Sequence, residues 1–172
     1  MDQSTQPKPP QSPTTVARKS DRELIVTRVF DSPVDAVFDA WSRAELFRVW
    51  WAPASMGAVV TACEIDARTG GGYRITFGQG PEAATFFGRY LEVAPSSRLV
   101  WTNEESGEGP VTTVTFAAHG PGTLLTLSEL YPSPEPLADA IAGMQAMAGE
   151  QFAQLDELLA SRRREAAGSE PA

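Results

Sequence analysis

Few side chains in this 172-residue chain are equipped for chemistry. The single histidine, His119, sits at the Gly120-Pro121-Gly122 turn. It has no second His to share a metal, and a turn position predicts a solvent-exposed ring. The single cysteine, Cys63, lies in a strand-like run and reads as a small buried apolar residue; alone, it excludes an internal disulfide. Gly70-Gly71-Gly72 leads into a strand-like stretch, so it reads as a hairpin turn and not a phosphate cradle. There is no Cys-x-x-Cys and no nucleophile elbow, and no metal or cofactor is expected.

What remains is a carboxylate and phenols among apolar neighbours. Leu125, Leu127 and Glu129 share one face of a period-two run. If that face is the core, Glu129 points inward, and burial would raise its pKa into the range of a general acid or base. The plainer reading is that it sits at the strand's end with its head in water. Tyr73, followed by Ile75 and Phe77 on the same parity, is the second catalytic candidate, with Tyr90 beside it. Leu99, Trp101 and Asn103 share another inward face, and Trp50 and Trp51 are expected to cap one end of the sheet, with Trp50 assigned to the pocket. Glu64 and Asp66, on the opposite parity from Ile65, are expected in solvent, pairing with Arg74 and Arg89 across neighbouring strands.

These residues need elements to hold them. The spacing Leu137, Ile141, Met144, Ala148, Phe152, Leu155, Leu159 predicts one long amphipathic helix over Pro136 to Ala160. Pro134 and Pro136 open it, and Gly143 and Gly149 weaken it by roughly 1 kcal/mol each. About 24 residues span about 36 Å, enough to cross a small sheet. Ala148, the smallest member of the stripe, leaves a gap between Met144 and Phe152. Upstream, Glu23–Phe30 reads as a strand apolar on both faces. Ser32 (a cap), Pro33 and Asp35 then start two short helices, Val34–Trp41 and Arg43–Trp50. Six further strands are predicted at Val59–Asp66, Tyr73–Gly78, Thr85–Val93, Arg98–Glu104, Val111–Ala117 and Thr123–Tyr131. The connections between them are short and rich in Gly and Pro, as in an antiparallel meander, and Gly88 suggests a bulge or sharp bend. The predicted fold is α+β: a curved seven-stranded antiparallel sheet gripping a long C-terminal helix, with two short helices after strand 1.

The charge is −8 overall but uneven: residues 23–160 carry 7 Arg, no Lys and 18 acids. Such a body repels phosphate backbones, which argues against nucleic-acid binding. No apolar run reaches the ~18 residues of a membrane span, and Met1–Ser20 has no apolar signal region, so a cytoplasmic location is expected. Residues 1–20, rich in Pro, Gln, Ser and Thr, are expected to be a disordered tail, residues 23–160 the folded domain, and residues 161–172 a flexible C-terminal tail.

Several segments in order carry a resemblance: Phe30-Asp31-Ser32-Pro33, Trp50-Trp51-Ala52-Pro53, Cys63-Glu64-Ile65-Asp66, Gly70-Gly71-Gly72-Tyr73-Arg74, Gly88-Arg89-Tyr90-Leu91-Glu92-Val93 and Arg98-Leu99-Val100-Trp101-Thr102. Over about residues 23–160 the chain resembles the family named after the activator of the heat-shock protein 90 ATPase, within the START-like (SRPBCC) superfamily. The resemblance implies the helix-grip fold, with members that bind, transport or cyclise different ligands. It also brings to mind a chaperone partner and a stress-response setting. The eukaryotic co-chaperones, however, carry an additional N-terminal domain that does most of the ATPase stimulation, and here only a short leader occupies that place. Bacterial members carry Gly-Trp in the last helix after a Gly-Met pair; Gly143-Met144 is kept here, but Met147-Ala148 replaces Gly-Trp. Losing an indole leaves space, or lets Met144 and Met147 fold in.

Three functions follow as expectations. The first is binding of a small hydrophobic or aromatic ligand between sheet and helix. The second is a cofactor-independent cyclase- or hydratase-like enzyme using a cavity Glu or Tyr. The third is a protein-interaction module; homodimerisation is compatible with all three. The ligand-binding set expected is Trp50, Tyr73, Ile75, Phe77, Trp101, Leu125, Leu127, Glu129, Met144, Met147, Ala148 and Phe152.

Overall fold

The structure, a computed structural model, describes residues 13–57, 59–105 and 107–168. The first twelve residues of the expected tail, and the last four of the chain, lie outside the described residues. The elements in chain order are β1 (Thr15–Arg18), β2 (Glu23–Phe30), α1 (Val34–Ser42), α2 (Ala44–Trp50), β3 (Val60–Ile65), β4 (Gly72–Phe77), β5 (Ala84–Ala94), β6 (Arg98–Thr102), β7 (Val111–His119), β8 (Gly122–Leu130) and α3 (Leu137–Gly168). Eight strands form one antiparallel sheet in the order β1-β2-β8-β7-β6-β5-β4-β3. The helix-grip arrangement is therefore present, with one strand more than the sequence suggested.

The extra strand is β1, inside the stretch expected to be disordered. It pairs Thr15–Arg18 with Leu24–Thr27 of β2. Its apolar content is low, but the open edge of β2 offers its backbone a full row of partners, and the Thr15 and Thr27 hydroxyls meet. Propensity understates a strand whose stability comes from the edge it completes. β2 departs from expectation as well. Leu24, Val26, Arg28 and Phe30 are buried, whereas Ile25, Thr27 and Val29 on the other face are only half-buried.

The bend of the sheet lies in β5. Its first half, Ala84–Arg89, pairs with β4, and its second half, Tyr90–Ala94, pairs with β6. Gly88 sits at the changeover. Its own pairing, to Tyr73, is regular, and the register shift expected there falls between Tyr90 and Glu92. Glycine is nevertheless required: a Cβ at 88 would lie 2.0 Å from the Thr102 carbonyl oxygen.

α3 is 32 residues long and runs to Gly168, beyond the expected end at Ala160 and into the expected C-terminal tail. At 1.5 Å per residue it spans about 48 Å. The extension is held where Arg163 donates to the Asp31 carbonyl (3.2 Å) and to Ser32 Oγ. Ser32 therefore serves α3 and does not cap α1, whose N-cap position is Pro33. Farther back along the helix, Asp156 pairs with Arg28, a guanidinium only 4% exposed in the core face of β2. Leu155 and Leu159 are fully buried alongside. α3 packs on α1, α2, β1 and β2. Its first half extends past these supports toward the β4–β6 side of the sheet. Around the junction, Trp41 lies amid rings of Phe47, Trp50, Trp51, Trp101, Phe116 and Phe152, with centroids 4.8 to 6.4 Å away.

Candidate functional site

The space left between the first half of α3 and the bent half of the sheet is a cavity of about 510 Å³. Alternation brings one face of each strand to it. β4 supplies Tyr73, Ile75 and Phe77, β6 supplies Trp101, β8 supplies Leu127 and Glu129, and α3 supplies Met144, Met147, Ala148 and Phe152. All ten belong to the expected set. Ala148 is 1% exposed yet borders the cavity, so the small side chain does stand beside open space, and both methionines line it without closing it.

Trp50 and Leu125 do not line it. Trp50 is fully buried between α1 and α2, where its indole N–H donates to the Ala40 carbonyl (3.0 Å). Trp51, one residue and about 100° further round the helix, takes the cavity position and stacks on Phe47 at 4.7 Å. Leu125 has the right parity but is fully buried at the end of the sheet that α1 covers. Parity fixes the face; it does not fix how far along the strand the helical cover extends.

The polar part of the wall follows from register. Tyr90, Trp101, Thr112 and Glu129 stand directly opposite one another across β5, β6, β7 and β8. Directly opposed residues share a face, so this row runs across the floor of the cavity. A hydrogen-bonded chain follows it. Tyr73 Oη donates to the Thr102 carbonyl (2.7 Å) and to Asn103 Oδ1 (3.2 Å). Asn103 Nδ2 donates to the Pro110 carbonyl (2.8 Å) and to Thr112 Oγ1 (2.9 Å). Thr112 Oγ1 donates to Glu129 Oε2 (3.2 Å), and Tyr131 Oη donates to Glu129 Oε1 (2.9 Å). The chain ends on Glu129, the group at which both oxygens accept.

Burial pushes the Glu129 carboxyl above the usual carboxylate range. The bonds from Tyr131 and Thr112 oppose this only partly, and the negative charge of Glu105 adds to it. Tyr73 and Tyr90 are also raised, first by burial, and Tyr131 is raised by burial and then by Glu129. The three phenols therefore keep their protons at neutral pH, Tyr73 and Tyr131 as hydrogen-bond donors, and Glu129 is the carboxyl on the floor row suited to exchange a proton. Thr112 and Tyr131 were not singled out from the sequence. Thr112 was legible only through its cross-strand partners, and Tyr131 lies just past the end of β8.

The rim is fastened by three α3 side chains. Gln154 donates to the carbonyls of Trp50 (2.8 Å) and Ala52 (2.9 Å) and accepts from the Ala54 amide (2.8 Å). Gln151 donates to the Trp51 carbonyl (2.6 Å). Glu150 accepts from the Ser55 amide (2.9 Å) and hydroxyl.

The other expected polar residues lie elsewhere. His119 closes β7 opposite Gly122 and is exposed. Cys63 is half-buried, its thiol raised by burial. Glu64 and Asp66 are exposed as expected, but Asp66 pairs with Arg68, Arg89 pairs with Glu104, and Arg74 lies over the Phe87 ring. Among the described residues no His, Cys, Asp and Glu group of three or more could hold a metal, and no helix is long and apolar enough to cross a membrane.

A family model described as activator of Hsp90 ATPase homolog 1-like protein matches residues 31–160. Similar solved structures include a Rhodobacter sphaeroides protein (24% identity, 87% of this chain and 99% of that one, TM-score 0.78). A Chromobacterium violaceum protein is 29% identical, covering 79% of this chain and 96% of that one, with a TM-score of 0.65. An AHSA1-like protein from Aeromonas hydrophila is 22% identical, covering 86% and 96%, with a TM-score of 0.64. These likenesses concern the fold. No curated protein matches the sequence.

Proposed function

Since the chain belongs to the activator of Hsp90 ATPase homolog 1-like family, whose fold is in general a ligand-binding one, we propose that it binds a small, mainly apolar molecule between sheet and α3. One observation carries this: a cavity of about 510 Å³ whose wall is chiefly aromatic and aliphatic, with a short polar chain along one side. That volume falls within the range of small-molecule sites, and the mix of apolar wall and few convergent polar groups is typical of them. A second reading, acid–base turnover, is supported by the Glu129–Tyr131 pair, which places a titratable head inside the cavity.

A thermal-shift screen against apolar metabolites tests the first reading. A ligand at a hundredfold excess over its Kd stabilises the native state by about 2.7 kcal/mol, a rise of roughly 5–10 °C in Tm for a domain of this size. Ala148→Trp, which puts an indole into the cavity, is expected to fold and to abolish the shift. An undiminished shift in this variant would place the ligand elsewhere. Mass spectrometry of the recovered ligand separates the two readings: unchanged ligand supports binding, while a product that disappears with Glu129→Gln supports turnover.

A further inference from the structure

The charge inside the cavity is one-sided. Among the described residues its wall includes two carboxylates, Glu129 and Glu105, and no Lys, Arg or His. Glu105 is exposed at the mouth. Glu129 stands on the floor row, two residues along β8 from Leu127, and is less exposed than Glu105. Its two oxygens each take one hydroxyl bond, from Thr112 and Tyr131. A carboxylate oxygen accepts about two bonds, so each retains a free lone pair. The ionised form thus has donors but no countercharge, a costly state in an apolar chamber.

The ring system farther along the same floor suits the other end of such a ligand, an aryl group. Trp101 stands two strands from Glu129 in the floor row, about 10 Å at the spacing of neighbouring strands. Tyr73, Tyr90 and Trp101 form a triangle with centroids 6.0 to 6.3 Å apart. Aromatic rings pair favourably edge-to-face or offset at centroid separations of about 4.5–7 Å, so this corner takes an aryl group.

We infer that the ligand is an arylalkylamine or a similar lipophilic amine, bound as its ammonium ion. Its N–H groups donate to Glu129, and its apolar part lies over Trp101 toward Met144 and Ala148. This rests on the ligand-binding reading above and names the chemical class that the cavity selects. An anionic ligand of the same size is rejected, because it would face two carboxylates with no cation to offset them. A neutral alcohol satisfies one lone pair of Glu129 but leaves its charge uncompensated.

The test is a matched trio that shares one ring system: tryptamine (cation), tryptophol (neutral) and indoleacetate (anion). Each is titrated calorimetrically into the full chain at pH 8, where the amine is charged and Glu129 is most ionised. Tryptamine is expected to bind at least tenfold more tightly than tryptophol, with no measurable heat from indoleacetate. Glu129→Gln should bring tryptamine down to the level of tryptophol and leave tryptophol within threefold. Glu105→Gln, at the mouth, should cost tryptamine less than threefold, which separates direct pairing from a general negative field. Unliganded melting curves of both variants check that each is folded. Tryptophol equal to or better than tryptamine, or an amine preference that survives Glu129→Gln, overturns the assignment while leaving the cavity as a binding site. Silence from all three overturns the amine assignment, while the ligand-binding reading falls only if the thermal-shift screen is silent as well.

Discussion

Glu129 combines two opposed conditions: surroundings that strip water from its carboxyl and two hydroxyl donors that favour its charged form. Burial wins, so its folded pKa lies above the ordinary carboxylate value of 4.5. The folded state then holds a proton that the unfolded chain has released. Stability from this group is fully present below about pH 4.5 and is lost as pH rises through the raised folded value. Glu129→Gln, which mimics the protonated acid, should therefore leave Tm nearly unchanged at pH 4 and raise it at pH 8. A fall in Tm at pH 8 would mean that the ionised form is compensated by something not yet recognised. This residue was half legible in the sequence. Its parity with Leu125 and Leu127 placed it inward, but whether its head reached water depended on Tyr131 and Thr112. Thr112 is brought there only by cross-strand register, and Tyr131, two residues on, reaches it only because its ring turns back from just past the end of β8. Trp50 and Trp51 show the converse: residue type alone could not say which of two adjacent indoles faces the cavity, since that depends on the phase of a seven-residue helix.

At the level of elements, α3 was the most readable part of the chain, because a 3.6-residue period repeated over many turns leaves little alternative. Its end was set too early, at Ala160, because the apolar stripe stops at Leu159, whereas Arg163 bonds backward to Asp31 and Ser32 and carries the helix on. The element is anchored by polar contacts that its apolar stripe did not announce. The Arg28–Asp156 pair joins β2 to α3 with the guanidinium almost wholly buried. Removing one member of such a pair strands the other. Asp156→Ala should cost about 3–5 kcal/mol in urea unfolding, whereas Arg28→Met with Asp156→Leu should recover most of it. A loss below about 1 kcal/mol for the single change would show the pair to be effectively solvated. β1 could not have been read from propensity; it exists because β2 would otherwise be an open edge.

Taken whole, the molecule is well packed at one end and open at the other. From Ala148 onward α3 lies on α1, α2 and the first strands, with Phe152, Leu155 and Leu159 buried. Before it, between Leu137 and Ala148, no residue of the helix is fully buried. Local opening should follow that division. Hydrogen exchange is expected to be faster for amides 141–147 than for 151–159, and a cavity ligand should slow the first group selectively. Uniform protection along the helix would contradict it. The overall architecture was legible because the alternation of periods, two in the middle and 3.6 at the end, admits few arrangements. The cavity was legible only as a gap at Ala148, since its volume depends on where helices stop covering the sheet.

The fastening of residues 50–55 has a consequence for how this scaffold can change. Glu150, Gln151 and Gln154 grip main-chain atoms almost throughout, so the outward path of that segment is largely indifferent to which side chains it bears. Met56, exposed at the opening just beyond that segment, is thus free to be exchanged without dislodging its support. Selectivity at the entrance and the integrity of the frame are separable traits, and a designer or a lineage can alter the one while inheriting the other.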